Sequence, residues 1–245
     1  MEQAHFIFLP GFMCDGRLFS AQQRSLEAAG HSCSNGDLAS GETIEELAAN
    51  VLADAPECFV PVGLSMGGIV ALEIVRQAPE RVSHLALLNT TYRADKAGPQ
   101  RIAQIDRVRQ GELNLVLREE LKPTYMHPDN RTAERLALLS DMGAALGEDV
   151  FERQSKALIA RRSYAESLCE ISCPTLVLAG AQDEVCPVVL HRDIAAAIPC
   201  ARLEILQGCG HLSTLEKPAA VTRALFGLVG HVPTKTADTA EGRIA

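Results

Sequence analysis

Apolar residues along the chain form short runs that alternate with stripes at helical spacing. The runs are bounded by glycine or proline, which predicts buried strands, and they lie at His5–Leu9, Cys58–Val62, His84–Leu88, Pro174–Gly180 and Arg202–Leu206. The helical stripes lie between them, at residues 17–29, 43–54, 66–77, 187–198 and 218–229. A weaker segment lies around residues 31–35. Strands that alternate with helices predict an α/β fold, with a mostly parallel sheet and helices on both faces.

The alternation stops between about residue 92 and residue 170, where nothing resembles a strand. Apolar residues recur there in three helical stripes: Ile102, Ile105 and Val108; Leu113, Val116, Leu117 and Leu121; and Leu136, Leu139, Met142 and Leu146. We interpret residues 92–170 as a helical lid inserted into a core of residues 1–91 and 171–230. A series of ordinary crossover helices is the alternative, which so long a stretch without strands disfavours. The small and polar residues 231–245 predict a loose tail.

The composition indicates which kinds of partner and which cellular compartment to expect. The 245 residues are 47% hydrophobic and 22% charged, as in globular proteins, and the net charge of −8 disfavours binding to nucleic acid or to an anionic membrane. The eight cysteines are scattered without a Cys-x-x-Cys pair or a zinc-like spacing, which predicts reduced thiols. The first apolar run is too short for a signal peptide. We therefore expect a cytoplasmic protein, and no pattern indicates its oligomeric state.

A glycine-flanked serine follows the second of the predicted strands. The sequence GLSMG at residues 63–67 joins that strand to the helix that begins at Met66, and a nucleophile elbow requires this order of strand, serine and helix. Ser65 must adopt a positive φ so that its hydroxyl stands clear of the backbone. Residues 63 and 67 then approach too closely to carry bulky side chains. A glycine-rich turn with an incidental serine is the alternative, which the flanking strand and helix disfavour.

A serine hydroxyl needs a base, and seven histidines are available. His211 follows the last strand in a short glycine-rich loop, from which an imidazole can reach the carboxyl edge of the sheet, so we take it as the base. A structural histidine in this loop is the alternative. Five other histidines are weaker candidates because they lie in a predicted helix, the lid, the tail or strands: His191, His127, His231, His5 and His84.

The base needs a carboxylate to accept its other N–H and to stabilise the imidazolium. Asp183 comes just after the strand that ends at Gly180, which places it at the same edge of the sheet. Its neighbour Glu184 is the principal rival, and we expect Glu184 to be solvated. Asp183 is therefore the candidate acid.

Backbone N–H groups beside Ser65 are the candidate oxyanion donors. The turn after Ser65 points the N–H of Met66 into the space above the serine, where the dipole of the following helix adds to it. A second donor should come from the loop after the first strand, where Gly11 lets the backbone turn towards Ser65. We assign the N–H of Phe12, with Met13 second. A plain strand-end turn is the alternative.

Four motifs together resemble the α/β-hydrolase superfamily over residues 5–230. They are Pro10-Gly11-Phe12, Gly63-x-Ser65-x-Gly67, Asp183-x-x-x-Pro187, and Gly210-His211 followed by Glu216 and Pro218. The order Ser65, Asp183, His211 is that of the superfamily, and the chain looks most like its small lidded esterases and enol-lactonases. In such relatives the lid follows the sixth strand, where residues 92–170 lie here.

The chain departs from the superfamily pattern in two ways. There is no room for the usual N-terminal hairpin, which implies about six strands rather than eight. Leu9-Pro10-Gly11 stands where many relatives have His-Gly, which bears on the oxyanion donors. The resemblance implies a serine hydrolase that cleaves a small ester, lactone or thioester through an acyl-enzyme, without a metal or organic cofactor.

Other functions use the same scaffold. A C–C-bond or enol-lactone hydrolase of aromatic degradation and a perhydrolase would use the same machinery, and a ligand receptor is a rival from another class.

The lid segment has equal numbers of acidic and basic residues, so the net negative charge lies outside it. This favours a substrate with a carboxylate, for which Arg93, Arg161 and Arg162 are candidate partners; solvated helix-face charges are the alternative. Met13 and Tyr92 are further candidate substrate contacts.

Overall fold

Six strands form one parallel sheet, as the apolar runs and the resemblance predict. The computed structural model describes residues 3–121 and 124–230. The strands are β1 His5–Leu9, β2 Ser32–Asn35, β3 Val60–Leu64, β4 Leu85–Leu88, β5 Thr175–Gly180 and β6 Ala201–Leu206. Their order across the sheet is β2-β1-β3-β4-β5-β6, and every neighbouring pair is parallel. The carboxyl ends of β3, β4 and β5, and the loop that follows β6, therefore lie along one edge.

Two strands differ from the sequence prediction. The weak segment at residues 31–35 forms the edge strand β2, which pairs with β1 from His5 opposite Ser32. An edge strand is held on one side only and can be polar, which explains its weak apolar signal. The strand predicted at Cys58–Val62 begins instead at Val60 and continues to Leu64, because its pairing with β4 extends that far.

Helices cover both faces of the sheet. Side chains alternate along β1, so that Ile7 and Leu9 enter one apolar cluster and Phe6 and Phe8 enter the other. The first cluster is covered by α2 Ile44–Asp54, α3 Met66–Gln77 and α7 Val188–Ala197, and the second by α1 Ser20–Ala28 and α8 Pro218–Gly230. The N-terminus of α2 is capped by Thr43, whose Oγ1 accepts from the N–H of Glu46 at 3.1 Å.

The described residues between β4 and β5 form helices joined by turns and loops, and none of them forms a strand. The main helices are α4 Gly98–Val108, α5 Leu113–Val116 and α6 Ala133–Ala160. Helix α6 is broken at Gly147, which has φ 81° and ψ −179°. The apolar stripe predicted for α4 is wrong at Ile102, which is 53% exposed. The buried side chains of α4 are instead Gln104, Ile105 and Val108.

Other sequence predictions concern the termini, the thiols and membranes. No disulfide joins any of the eight cysteines. In the described part of the chain, no helix is both long and apolar enough to cross a membrane. The predicted tail, residues 231–245, lies outside the described residues.

Candidate active site

Ser65 occupies a strained turn between β3 and α3. Its φ of 56° and ψ of −116° are conformations that residues other than glycine rarely adopt. The N–H of Ser65 donates to Leu88 O on β4 at 3.0 Å, which ties the turn to the neighbouring strand. The side chain of Ser65 lines a cavity of about 700 Å³. The turn therefore presents the hydroxyl at the edge of the sheet, as the elbow motif predicts.

The glycines around Ser65 are required by contacts with backbone atoms. A Cβ on Gly67 would lie 1.9 Å from Leu9 O, and a Cβ on Gly63 would lie 2.2 Å from Gly67 O. A Cβ on Gly68 would meet the side chain of Thr90 at 2.5 Å. Real Cβ atoms do not approach other heavy atoms so closely. Larger residues at positions 63, 67 and 68 would therefore push the start of α3 away from β1 and β3.

We expect Gly67→Ala to destabilise the protein severely. The added methyl group would overlap a backbone carbonyl that cannot rotate away, and such overpacking should lower the free energy of unfolding by about 3 kcal/mol or more. Gly98→Ala is the matched control, because a Cβ on Gly98 meets nothing within 4 Å. Urea unfolding of both variants measures the difference, and equal midpoints would contradict this account of the elbow.

The structure brings His211 and Asp183 into contact. His211 Nδ1 lies 2.9 Å from Asp183 Oδ2, and both side chains are almost fully buried. The other oxygen, Asp183 Oδ1, accepts from the N–H groups of Val185 at 2.9 Å and Cys186 at 2.8 Å. Burial alone would raise the pKa of Asp183, but its charge and hydrogen-bond interactions with His211, and the other donors around it, outweigh burial and lower this pKa. Asp183 is thus held as a carboxylate against the imidazole.

Asn89 completes this arrangement and was not among the predicted site residues. Asn89 follows β4 with φ 46° and is fully buried. Its Nδ2 donates to Asp183 Oδ2 at 2.9 Å and to Gly210 O at 3.1 Å. An asparagine directly after a strand at this edge, where a positive φ is tolerated, was the available signal. Asn89 links the Asp183 loop to the loop that carries His211.

The His211 loop is held by two further groups. Glu216 Oε2 accepts from Gly210 N at 2.9 Å, and Glu216 Oε1 accepts from Leu212 N at 3.1 Å. The carbonyl of Tyr125 accepts from the N–H groups of His211 at 2.9 Å and Leu212 at 3.0 Å. The ring of Tyr125 also packs 5.5 Å from the His211 ring, between centroids. Glu216 belonged to a sequence motif without an assigned role, and Tyr125 was not predicted.

The rival histidine and the rival carboxylate have other surroundings. His191 is buried, and its Nε2 accepts from Thr90 N at 2.9 Å. Burial lowers the pKa of His191 to about 4, so the imidazole is held neutral as a structural acceptor. Glu184 is exposed at the cavity rather than bonded to His211. His231 lies outside the described residues.

Two backbone N–H groups beside Ser65 are available to a ligand. Met66 is the first residue of α3, so its N–H has no partner within the helix. Neither this N–H nor that of Phe12 has an acceptor among the described residues. The N–H of Met13 differs, because it donates at 2.9 Å to Oε1 of Gln154, a buried residue of α6. The N–H of Met13, the alternative to that of Phe12, is therefore not available to a ligand.

The cavity beside Ser65 includes some of the predicted substrate contacts and excludes others. Its walls come from the elbow, the loop after β1, the segment after β4, α4, the end of α6 and the loop after β5. Arg93 and Arg161 line it, whereas Met13, Tyr92 and Arg162 do not. Met13 is buried in the core, Tyr92 donates its hydroxyl to Asp193 at 3.1 Å, and Arg162 follows the end of α6 with its side chain exposed. Contrary to the prediction, the structure therefore places none of these three side chains at the cavity.

Within the described residues, no group of three or more His, Cys, Asp or Glu side chains is placed to hold a metal ion.

Comparison with known proteins agrees with this geometry. The sequence profile of the alpha/beta hydrolase family matches residues 6–224. The chain is 25% identical over 205 residues to a pimeloyl-[acyl-carrier protein] methyl ester esterase of Aromatoleum aromaticum, covering 75% of this chain and 78% of the relative. It is 27% identical over 190 residues to 3-oxoadipate enol-lactonase 2 of Acinetobacter baylyi, covering 74% and 69%. Among these two and further relatives, the aligned part spans from 61% to 78% of the relative's own length.

A solved structure resembles the whole described fold. A thermophilic esterase from Thermogutta terrifontis, with malate bound, superposes with a TM-score of 0.85 at 25% identity, covering 93% of this chain and 89% of the esterase. The profile match spans most of the chain, and the sheet order and elbow geometry agree with it. The chain belongs to the alpha/beta hydrolase family and is a hydrolase.

Proposed function

We propose that the protein is a serine hydrolase that cleaves a small carboxylic ester or lactone through an acyl-enzyme. The observation that carries this proposal is the buried His211–Asp183 pair, with 2.9 Å between Nδ1 and Oδ2, at the sheet edge where strained Ser65 faces a cavity. A nucleophile, a base and a group that orients the base are the parts that acyl transfer needs.

The proposed reaction begins when Ser65 Oγ attacks the carbonyl carbon. His211 Nε2 takes the serine proton and passes it to the leaving oxygen, which departs as an alcohol. Asp183 keeps the His211 proton on Nδ1, so that Nε2 is free to accept, and stabilises the imidazolium. Ser65 Oγ makes no hydrogen bond with the described residues. In the proposed reaction, the bond from Ser65 Oγ to His211 Nε2 forms as the substrate carbonyl is bound.

The proposed oxyanion hole consists of the N–H groups of Met66 and Phe12. Both would point at the oxygen that gains charge as the carbonyl becomes tetrahedral, where such donors lower the barrier most. Water, activated by His211, then attacks the acyl-enzyme and releases Ser65. No step requires a metal or an organic cofactor.

The relatives support an ester or a lactone as the bond cleaved. One is named a methyl ester esterase and another an enol-lactonase, and both names describe hydrolysis of an acyl C–O bond. The helical segment 92–170 supplies α4 and part of α6 to the cavity wall, so we propose that it is a lid on the core formed by residues 1–91 and 171–230. A small molecule enclosed between lid and core is the kind of substrate that this arrangement fits.

Labelling and turnover test the proposal directly. A fluorophosphonate probe should label Ser65, located by mass spectrometry, and 4-nitrophenyl esters, lactones and thioesters should show which carbonyl is turned over. Catalytic turnover of an ester or lactone that the probe abolishes is expected. A labelled serine with only one equivalent of product released would contradict the enzyme assignment and favour a ligand receptor.

Gln154→Leu should impair the oxyanion hole from a distance. Gln154 accepts from Met13 N at 2.9 Å and donates to Leu38 O at 2.9 Å, and Met13 itself has a positive φ of 51°. These bonds fix the peptide next to Phe12, so losing them should misplace the Phe12 N–H. We expect kcat to fall by about tenfold or more with a smaller change in KM, since removing an oxyanion donor outright costs about 10²–10³ in rate.

Gln104→Leu is the control for this variant. Gln104 is also buried in the helical segment, and its Nε2 donates to Glu120 at 3.0 Å, away from the loop after β1. Its kcat should stay close to that of the parent protein. Equal losses of kcat in the two variants would show that Gln154 acts through general stability alone.

A further inference from the structure

Two arginines of the cavity wall share one carboxylate. Arg101 Nε donates to Asp95 Oδ2 at 2.8 Å, and Arg161 Nη2 lies 3.3 Å from Asp95 Oδ1. Burial would raise the pKa of Asp95, but the N–H of Ala97 and the two guanidinium groups lower it by more. Asp95 is therefore ionised and neutralises one of two positive charges. This wall of the cavity keeps a net positive charge.

The two guanidinium groups differ in how far they are satisfied. Arg161 also donates from Nε to Arg93 O at 3.0 Å and from Nη1 to Leu158 O at 3.3 Å, so it braces the backbone. Arg101 donates only from Nε, and its Nη1 and Nη2 have no acceptor among the described residues. Its side chain is nevertheless only 20% exposed. Guanidinium N–H groups that have no protein acceptor, on a side chain that is otherwise mostly buried, favour an anionic ligand.

Arg101 is held rigidly on the Ser65 side of the cavity. Asp95 fixes its Nε, and its Cζ lies 5.6 Å from the centroid of the Phe12 ring. Phe12 supplies a proposed oxyanion donor, and Arg101, Phe12 and Ser65 line the same cavity. A substrate of Ser65 would therefore lie in the cavity that Arg101 also lines, and the bond to Asp95 reduces the conformational entropy that Arg101 would lose on binding.

The other charged groups of the cavity do not cancel this charge. Glu120 is paired with Arg107, and Arg93 is paired with Asp193. Lys96 and Glu184 form no ion pair among the described residues, and their opposite charges offset each other. The uncompensated positive charge therefore belongs to the group formed by Arg101, Asp95 and Arg161, in which Arg101 has two nitrogen atoms without an acceptor.

We infer that Arg101 forms a carboxylate subsite, so that the natural substrate is an ester or lactone that bears a free carboxylate. The inference rests on the proposed function of Ser65. A carboxylate would accept two parallel hydrogen bonds from Nη1 and Nη2, the geometry for which arginine is suited and lysine is not. Arg101 sets which substrate is bound and takes no part in bond making.

Paired substrates test this subsite. Straight-chain diacid monoaryl esters are each compared with the neutral aryl ester of the same length, and kcat/KM is measured for both. We expect the parent protein to favour the carboxylated member. In Arg101→Gln the ratio of carboxylated to neutral kcat/KM should fall by about 10- to 100-fold, as for a charge-assisted hydrogen bond. Arg101→Lys should recover only part of it.

Arg109→Gln is the matched control, because Arg109 lies at the C-terminal end of α4 outside the cavity lining and is ion-paired with Glu152, which is also outside it. Its substrate ratio should equal that of the parent protein. Equal rates on both members of every pair, with turnover that depends on Ser65, would overturn the inference and leave the proposed function intact. If no ester is turned over, the proposed function fails. Calorimetric binding of a straight-chain diacid then decides the subsite, and equal affinity for parent and Arg101→Gln would overturn it.

Discussion

Replacing Ser65 with alanine should lower kcat for ester hydrolysis by a factor of about 10⁴ or more, because the substitution removes the nucleophile of the proposed acyl-enzyme. The substitution removes only Oγ, and the cavity wall and the oxyanion donors remain, so KM should change much less. Alanine carries the same Cβ as serine at this positive φ, so the elbow should still form. Steady-state kinetics with a 4-nitrophenyl ester measures the loss, and circular dichroism checks the fold.

A buried serine outside the cavity provides the control for this variant. Ser155 on α6 is fully buried, and its hydroxyl has no partner among the described residues. Ser155→Ala makes the same chemical change outside the cavity lining and should leave kcat near that of the parent protein. Undiminished esterase activity in Ser65→Ala would remove the nucleophile from the proposed function, and labelling by a fluorophosphonate probe should be lost with the activity.

The elbow could be predicted from the sequence because its causes are local. A strand, a serine and a helix follow one another within a few residues, and the glycines at 63 and 67 are needed by contacts as close as 1.9 Å. The proximity of Asp183 and His211 follows from topology rather than local sequence. Each comes after a strand of a parallel sheet, and β5 and β6 are neighbours whose carboxyl ends share an edge.

The groups that position this site could not be predicted, because they join residues far apart in the chain. Asn89 and Asp183 are separated by 94 positions, and Met13 and Gln154 by 141. Their partners include backbone atoms of loops, which leave no periodic signal. The equal numbers of acidic and basic residues in segment 92–170 favoured a substrate carboxylate without identifying its partner. Arg101 was not among the candidates, and Arg162, which was, has an exposed side chain outside the cavity lining.

Replacing Asp183 with asparagine should lower kcat by about 10³–10⁴, because an amide can donate to His211 Nδ1 and so favour the tautomer in which Nε2 carries the proton. That tautomer cannot accept the proton of Ser65. Since the pKa of Asp183 is lowered in the folded protein, the parent residue is ionised throughout the range from about pH 6 to 9. The loss of kcat in the variant should therefore persist across that range rather than disappear at one end.

Glu184→Gln is the matched control, since this neighbouring carboxylate is exposed at the cavity. The substitution should change kcat by less than about threefold. A larger loss of kcat in Glu184→Gln than in Asp183→Asn would transfer the role of the acid to Glu184.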